Sequence, residues 1–230
     1  KAYATTVRLG VKTGTADAEG EVISLRPVSV TPEQLAAVVQ QFTGPIAQVP
    51  PMHSALKKDG KALYEYARAG IEVERPARHV TIYALKVLEA LVDTAQPAIK
   101  LIVDCSKGTY IRTLGEDIGE ALGCGAHLSA LRRVRTGGFG EGQCITLEAL
   151  EAMSEAQRLA CLLPVDALLP GHVPVTLDSD NAARFLSGMR RRGPWPDVND
   201  VVVHAAGSNS LLGTARVEAG DLIPVRLLSP

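Results

Sequence analysis

No stretch of the chain approaches the roughly 20 consecutive apolar residues of a membrane-spanning helix, and no charged, apolar and small-residue series marks a signal peptide. The sequence therefore predicts a cytoplasmic protein without membrane contact. Its four cysteines, Cys105, Cys124, Cys144 and Cys161, form no C-x-x-C pair. This argues against a zinc site, in spite of the isolated Cys124-x-x-His127, and favours buried thiols. Excess positive charge is also missing. A net charge of -1 excludes a protein that grips nucleic acid through bulk charge alone, so any such contact must come from local patches. Glycine-rich dinucleotide fingerprints, P-loops, credible metal clusters and internal repeats are all absent, and no cofactor is expected.

What is present suffices for a real core: 46% of 230 residues are hydrophobic, enough for one large or two modest domains. β-Branched and aromatic side chains predict a strand over 3–11, and the Gly/Thr/Asp cluster over 13–20 predicts a turn. Thr31-Pro32-Glu33-Gln34 reads as an N-cap, a first-turn proline and a capping box, opening a helix that runs to about Phe42. A short helix is expected over 61–69 with Gly70 as its cap. Strands are expected over 80–91 and 99–105, and a helix over 109–122. Leu128, Leu131 and Val134 stand at helical spacing. A further helical stretch covers 147–163, and the proline-rich segment 164–174 reads as a linker. Beyond it, a helix over 180–187 and strands over 201–204, 211–217 and 222–228 suit a small β-rich domain. Leu177-Asp178 reads as a helix cap.

Three basic clusters stand out as local patches: Lys57, Lys58 and Lys61; Arg132, Arg133 and Arg135; Arg190, Arg191 and Arg192. The most telling run is Cys105-Ser106-Lys107-Gly108-Thr109-Tyr110-Ile111-Arg112-Thr113-Leu114, in which an apolar strand turns through a glycine and delivers a tyrosine and an arginine together. Such a corner can hold a flat ring beside a carboxylate. This run resembles a signature of the TruB family, whose bacterial members isomerise uridine 55 in the T loop of tRNA. Four more places are similar to the same family: Lys1-Ala2-Tyr3 with Arg8-Leu9-Gly10; residues 13–20; the block from Gln48 to Glu72; and Leu122-Gly123-Cys124-Gly125-Ala126-His127 with Leu131-Arg132-Arg133.

The resemblance implies an α+β protein. A mixed or antiparallel pseudouridine-synthase sheet core with flanking helices would occupy 1–168, and a small β-rich PUA-like RNA-binding domain would occupy 169–230. It also implies site residues. Tyr3 would stack on a flipped base, Tyr110 would sit near it, Leu131 would keep the pocket apolar, and Arg112 would pair with a catalytic aspartate. His53 would line the RNA cleft, with Lys57, Lys58, Lys61, Arg132, Arg190, Arg191 and Arg192 on the tRNA T stem-loop. Gly14 departs from the family pattern, in which an aspartate is common. The family's nucleophilic aspartate belongs to a G-x-L-D-x-x-A-T-G segment expected upstream of Lys1, so no catalytic nucleophile is expected within these residues. The expected partner is tRNA and the expected state a monomer. The alternative is a non-catalytic module that binds or folds tRNA; a guide-RNA-dependent synthase fits less well, because the short C-terminal domain and the Met52-His53-Ser54 block look bacterial.

Overall fold

The computed structural model describes residues 1–228, which divide into two compact units, 1–136 and 137–228. The first unit contains β1 (Ala2–Leu9), β2 (Val11–Thr13), β3 (Val22–Leu25), α1 (Pro32–Gln41), β4 (Gly44–Gln48), β5 (Lys57–Lys58), β6 (Lys61–Ala62), α2 (Leu63–Arg68), β7 (Arg78–Leu91), β8 (Ala98–Cys105), α3 (Ile111–Ala121) and β9 (Ala126–Thr136). Its main sheet runs β9-β1-β8-β7-β4, antiparallel throughout. β1 lies inside the sheet between β9 and β8, and its alternating Tyr3, Thr5, Val7 and Leu9 all turn to one buried face. Leu114 and Ile118 of α3 and Leu35 and Val38 of α1 close that face into one core with Ile99, Leu101 and Val103 of β8.

α1 is capped as its sequence predicts: Gln34 N–H donates to Thr31 Oγ1 at 3.3 Å, and Thr31 N–H donates to Gln34 Oε1 at 2.9 Å. α2 is shorter than expected, so Lys57, Lys58 and Lys61 lie on the small β5-β6 hairpin at its entrance. The segment around Leu128, Leu131 and Val134 is strand β9 rather than a helix. Its backbone pairs with β1 from Ala2↔Arg135 to Leu9↔Ala126, and that ladder outweighs a chance three-residue spacing of apolar side chains. The cluster over 13–20 is a turn, as expected, but it joins the unforeseen hairpin of β2 and β3. Cys124 and His127 are structural: His127 Nδ1 donates to the Val11 carbonyl at 2.8 Å, and the Cys124 thiol faces the Gly119 carbonyl.

The outer side of α3 carries Glu116, Asp117 and Glu120. Lys12 bridges Glu116 at 2.8 Å and Glu120 at 3.1 Å, and Arg26 holds Glu120 at 2.6 Å. The Arg26 hydrogen bond, opposed by burial, keeps Glu120 down at about 2. Asp117 gains no such bond; burial, then the neighbouring Glu116 charge, push it up to about 6. Between its ordinary value of 3.8 and about 6 the folded state retains a proton that the unfolded chain has lost. Stability is therefore expected to fall as pH rises through that window. Urea midpoints measured at about pH 4.5 and about pH 7.5 should show the fall, and Asp117→Asn should abolish most of it. An unchanged slope in the variant would count against this assignment.

The second unit contains β10 (Phe139–Gly140), α4 (Leu147–Glu151), α5 (Glu155–Ala160), β11 (Val173–Leu177), α6 (Ser179–Leu186), β12 (Arg191–Arg192), β13 (Val198–Ala205), β14 (Leu211–Glu218) and β15 (Asp221–Leu227). A sheet in the order β11-β13-β14-β15-β12 encloses a core around Phe185, Val201, Val203 and Leu222. The β-rich C-terminal unit is thus present. Asp178 caps α6 by accepting the Asn181 N–H at 2.9 Å, the role its sequence predicts. The single helix expected over 147–163 is two, because Ser154 caps α5 and interrupts the run. The expected boundary at 168/169 lies inside this unit, where His204 Nε2 and Asp166 Oδ2 lie 3.0 Å apart. Cys105 and Cys124 are buried, but Cys144 is exposed and Cys161 half-buried, so the expectation of buried thiols holds for two of the four. The latter two flank short helices that bury no side chain fully.

Candidate active site

β8 ends at Cys105 and the chain turns through Gly108, whose φ of +86° is a conformation that suits glycine. Thr81 N–H donates to Ser106 Oγ at 3.0 Å and Thr109 Oγ1 donates to the Ser106 carbonyl at 3.1 Å, fixing the turn against β7. Tyr110 then occupies the N-cap of α3 instead of its first turn. Its backbone is clamped on both sides. Gln48, at the end of β4 and 2% exposed, accepts the Tyr110 N–H at 3.0 Å and donates to the Tyr110 carbonyl at 3.2 Å. A buried primary amide with both ends engaged has one orientation, so Tyr110 is held where β4 and α3 meet.

Two residues into α3, Arg112 reaches two separate partners. Its Nη1 donates to Asp17 Oδ2 at 2.5 Å, and its Nη2 donates to the His53 carbonyl at 2.9 Å. Asp17 is itself positioned: Thr15 Oγ1 donates to Oδ1 at 2.5 Å and Glu19 N–H at 3.2 Å. Burial raises the Asp17 pKa, but the Thr15 hydroxyl and the Arg112 guanidinium outweigh it, and the carboxyl is held below its ordinary value. Asp17 is thus ionised at neutral pH and keeps Arg112 aimed.

Tyr3 and Leu131 share one sheet face, since Tyr3 pairs with Arg133 and Thr5 pairs with Leu131. Tyr3 is buried, whereas Leu131 is 47% exposed, a large apolar side chain left open on that face. Arg133 covers the Tyr3 ring at 5.4 Å from its centroid, and its Nε donates to the Tyr3 hydroxyl at 3.3 Å. His53 contributes its carbonyl to the Arg112 clamp. Lys57 and Lys58 are exposed, Lys61 stacks on the Tyr66 ring at 5.0 Å, and Arg132 is exposed on β9. Arg190, Arg191 and Arg192 belong to the second unit, where Arg191 donates to Asn181 and Arg192 pairs with Asp221.

Two participants, Asp17 and Gln48, have no role assigned from sequence, and Arg133 appears there only in a basic patch and a family-like run, not as the partner of Tyr3. Asp17 stands in the 13–20 turn, a family-like segment in which it has no assigned role, and nothing in its spacing points to a partner 95 positions away. Gln48 stands inside a family-like block without an assigned role.

Residues 1–111 match the profile described as "TruB family pseudouridylate synthase (N terminal domain)", and residues 112–170 match "tRNA pseudouridylate synthase B C-terminal domain". The chain belongs to the TruB family. Relatives named tRNA pseudouridine synthase B include one from Verminephrobacter eiseniae, 59% identical over 100% of this chain and 70% of its own length. Another, from Ralstonia pickettii, is 57% identical over 99% of this chain and 74% of its own. The chain in a solved Cbf5-Nop10-Gar1 complex is similar in fold, with a TM-score of 0.66 at 24% identity over 100% of this chain and 65% of that one. The junction between the two TruB profiles falls between Ile111 and Arg112, so the Arg112 clamp joins residues assigned to both.

Proposed function

We propose that this chain carries the substrate-positioning half of a tRNA pseudouridine synthase that isomerises uridine 55 of the T loop, with its nucleophilic aspartate contributed from upstream of Lys1. The observation that carries the reading is the Arg112 clamp, which ties the 13–20 turn, the 48–72 block and the 105–114 run into one charged corner. The reaction breaks the N1 to C1′ bond, turns the ring, forms a C5 to C1′ bond, releases the C5 proton to solvent and leaves N1 protonated, so that product and substrate are isomers. Neither redox chemistry nor an added group is required. A base inside a folded loop must be flipped out to be reached, and it then needs an aromatic or apolar surface to rest on. Leu131, open on the face it shares with the buried, Arg133-covered Tyr3, offers such a surface, and Tyr110 at the N-cap of α3 is the second aromatic this reading assigns to the base. A carboxylate nucleophile needs to stay ionised, and a guanidinium with two donors already committed presents its remaining N–H groups in a fixed direction. The tRNA T stem-loop is the partner this reading requires, with the lysine hairpin on its phosphates.

The test is release of tritium from a T stem-loop labelled at uridine C5. The 230-residue chain alone is expected to release none, and the same chain extended to include an upstream G-x-L-D-x-x-A-T-G segment to turn over. Turnover by the 230 residues alone would sink the upstream placement of the nucleophile. Binding without turnover by the extended protein would favour a module that only binds or folds tRNA.

A further inference from the structure

The strap from Gln48 to His53 makes three anchoring contacts: the Gln48 amide on Tyr110, the His53 carbonyl on Arg112, and the Pro50 carbonyl, which accepts Arg75 Nη1 at 3.2 Å. Beside the third anchor lies a cavity of about 450 Å³ lined by Lys57, Lys58, Arg75 and Arg78, with Glu74 the one acidic residue in that lining. Leu56 and Leu63 form part of its apolar wall. Arg75 is only partly neutralised, because its Glu72 partner at 3.3 Å is 84% exposed and such a pair is weak in water. Its Nε is buried and has no hydrogen-bond partner in the protein. A charged N–H shut away from water without an acceptor is costly, so the positive charge of Arg75 is left without full compensation inside the protein. Lys58 reaches the Glu74 carbonyl at 3.3 Å, while Lys57 and Arg78 make no ion pair among the described residues.

We propose that this cavity is a phosphate-binding site that seats one backbone phosphate of the substrate RNA, and that the Pro50 contact couples its occupancy to the strap holding Tyr110 and Arg112. Four cationic residues around one cavity, two of them guanidinium forks, suit a tetrahedral oxyanion with three or more acceptor oxygens better than a carboxylate. That the phosphate comes from RNA rests on the function proposed above; that the site takes phosphate does not.

The experiment follows the arginine Nε–Hε resonances of the full chain during titration with inorganic phosphate at constant ionic strength, and in parallel measures binding of a T stem-loop carrying single methylphosphonate substitutions. Phosphate is expected to shift the Arg75 resonance saturably. Arg78→Gln, at an exposed position where the fold is not at risk, is expected to weaken RNA binding about tenfold and to flatten the slope of log affinity against log salt by about 0.7–0.9. One methylphosphonate position should weaken the unsubstituted protein by a similar factor and leave Arg78→Gln unaffected. Arg75→Gln should repeat the RNA loss and delete the shifting resonance. A saturable phosphate shift with RNA binding indifferent to both variants would overturn the RNA assignment and leave the synthase reading standing. No saturable shift and no such methylphosphonate position would overturn the site itself. Failure of the chain to bind any T stem-loop would instead sink the synthase reading.

Discussion

In the extended, turnover-competent protein, Arg112→Ala is expected to slow pseudouridine formation by about 10²- to 10³-fold in single turnover, the range for removing one preorganised charged donor from a reacting centre. Affinity for the T stem-loop should change little, because Arg112 faces Asp17 and the strap rather than the lysine hairpin. Arg112→Lys should recover only part of the rate, since an ammonium keeps the charge but cannot bridge Asp17 and the His53 carbonyl as a planar fork does. Alanine also strands the Asp17 carboxylate, which then rests on Thr15 and the Glu19 N–H alone. A melting curve therefore belongs beside the kinetics. If Arg112→Ala loses RNA affinity and rate in equal measure, the residue binds substrate without aiming a nucleophile. If it loses neither, the corner is not the active site.

Local chemistry was legible where the cause was local. The α1 capping box involves Thr31 and Gln34, three residues apart, and the Asp178 cap involves Asn181 at the same interval. β-Branched and aromatic content likewise marked β1 and β7, and alternation of Ile99, Leu101 and Val103 marked β8. β9 was misread because its identity comes from pairing with β1, more than a hundred residues earlier in the chain, while its own pattern carries a misleading three-residue repeat. The site divided in the same way. Arg112, Tyr110 and Tyr3 were visible through motifs, but the residues that hold them were not. Asp17, Gln48 and Arg133 reach their partners over 95, 62 and 130 positions, distances at which one sequence carries no pairing signal. The split helix over 147–163 has a third cause: Ser154 and Gln157 form a second capping box inside a run whose apolar spacing continues across it.

The helix that carries Arg112 lies close to the sheet, and the largest expected effect on folding follows from how close. A Cβ added at Gly119 would fall 2.4 Å from both the Ala126 backbone nitrogen and the Ala126 Cβ. Those atoms belong to the start of β9 and cannot swing aside as the tip of a flexible side chain would. Gly119→Ala should gain about 1 kcal/mol of helix propensity and lose more than that to overpacking, which costs about 1–3 kcal/mol. A net lowering of the melting temperature by about 2–6 °C is expected. Gly119→Val adds two further methyl groups against the same backbone and should prevent the first unit from folding, read as loss of its cooperative urea transition. Arg112 stands seven residues before Gly119, two turns along the same helix. A helix pushed off β9 at Gly119 would therefore also carry Arg112 away from Asp17. Gly119→Ala in the extended protein is accordingly expected to lose turnover even at temperatures where it remains folded. An Ala variant that melts higher and turns over normally would show that α3 has room to move outward, and that the close approach does not set the position of the arginine.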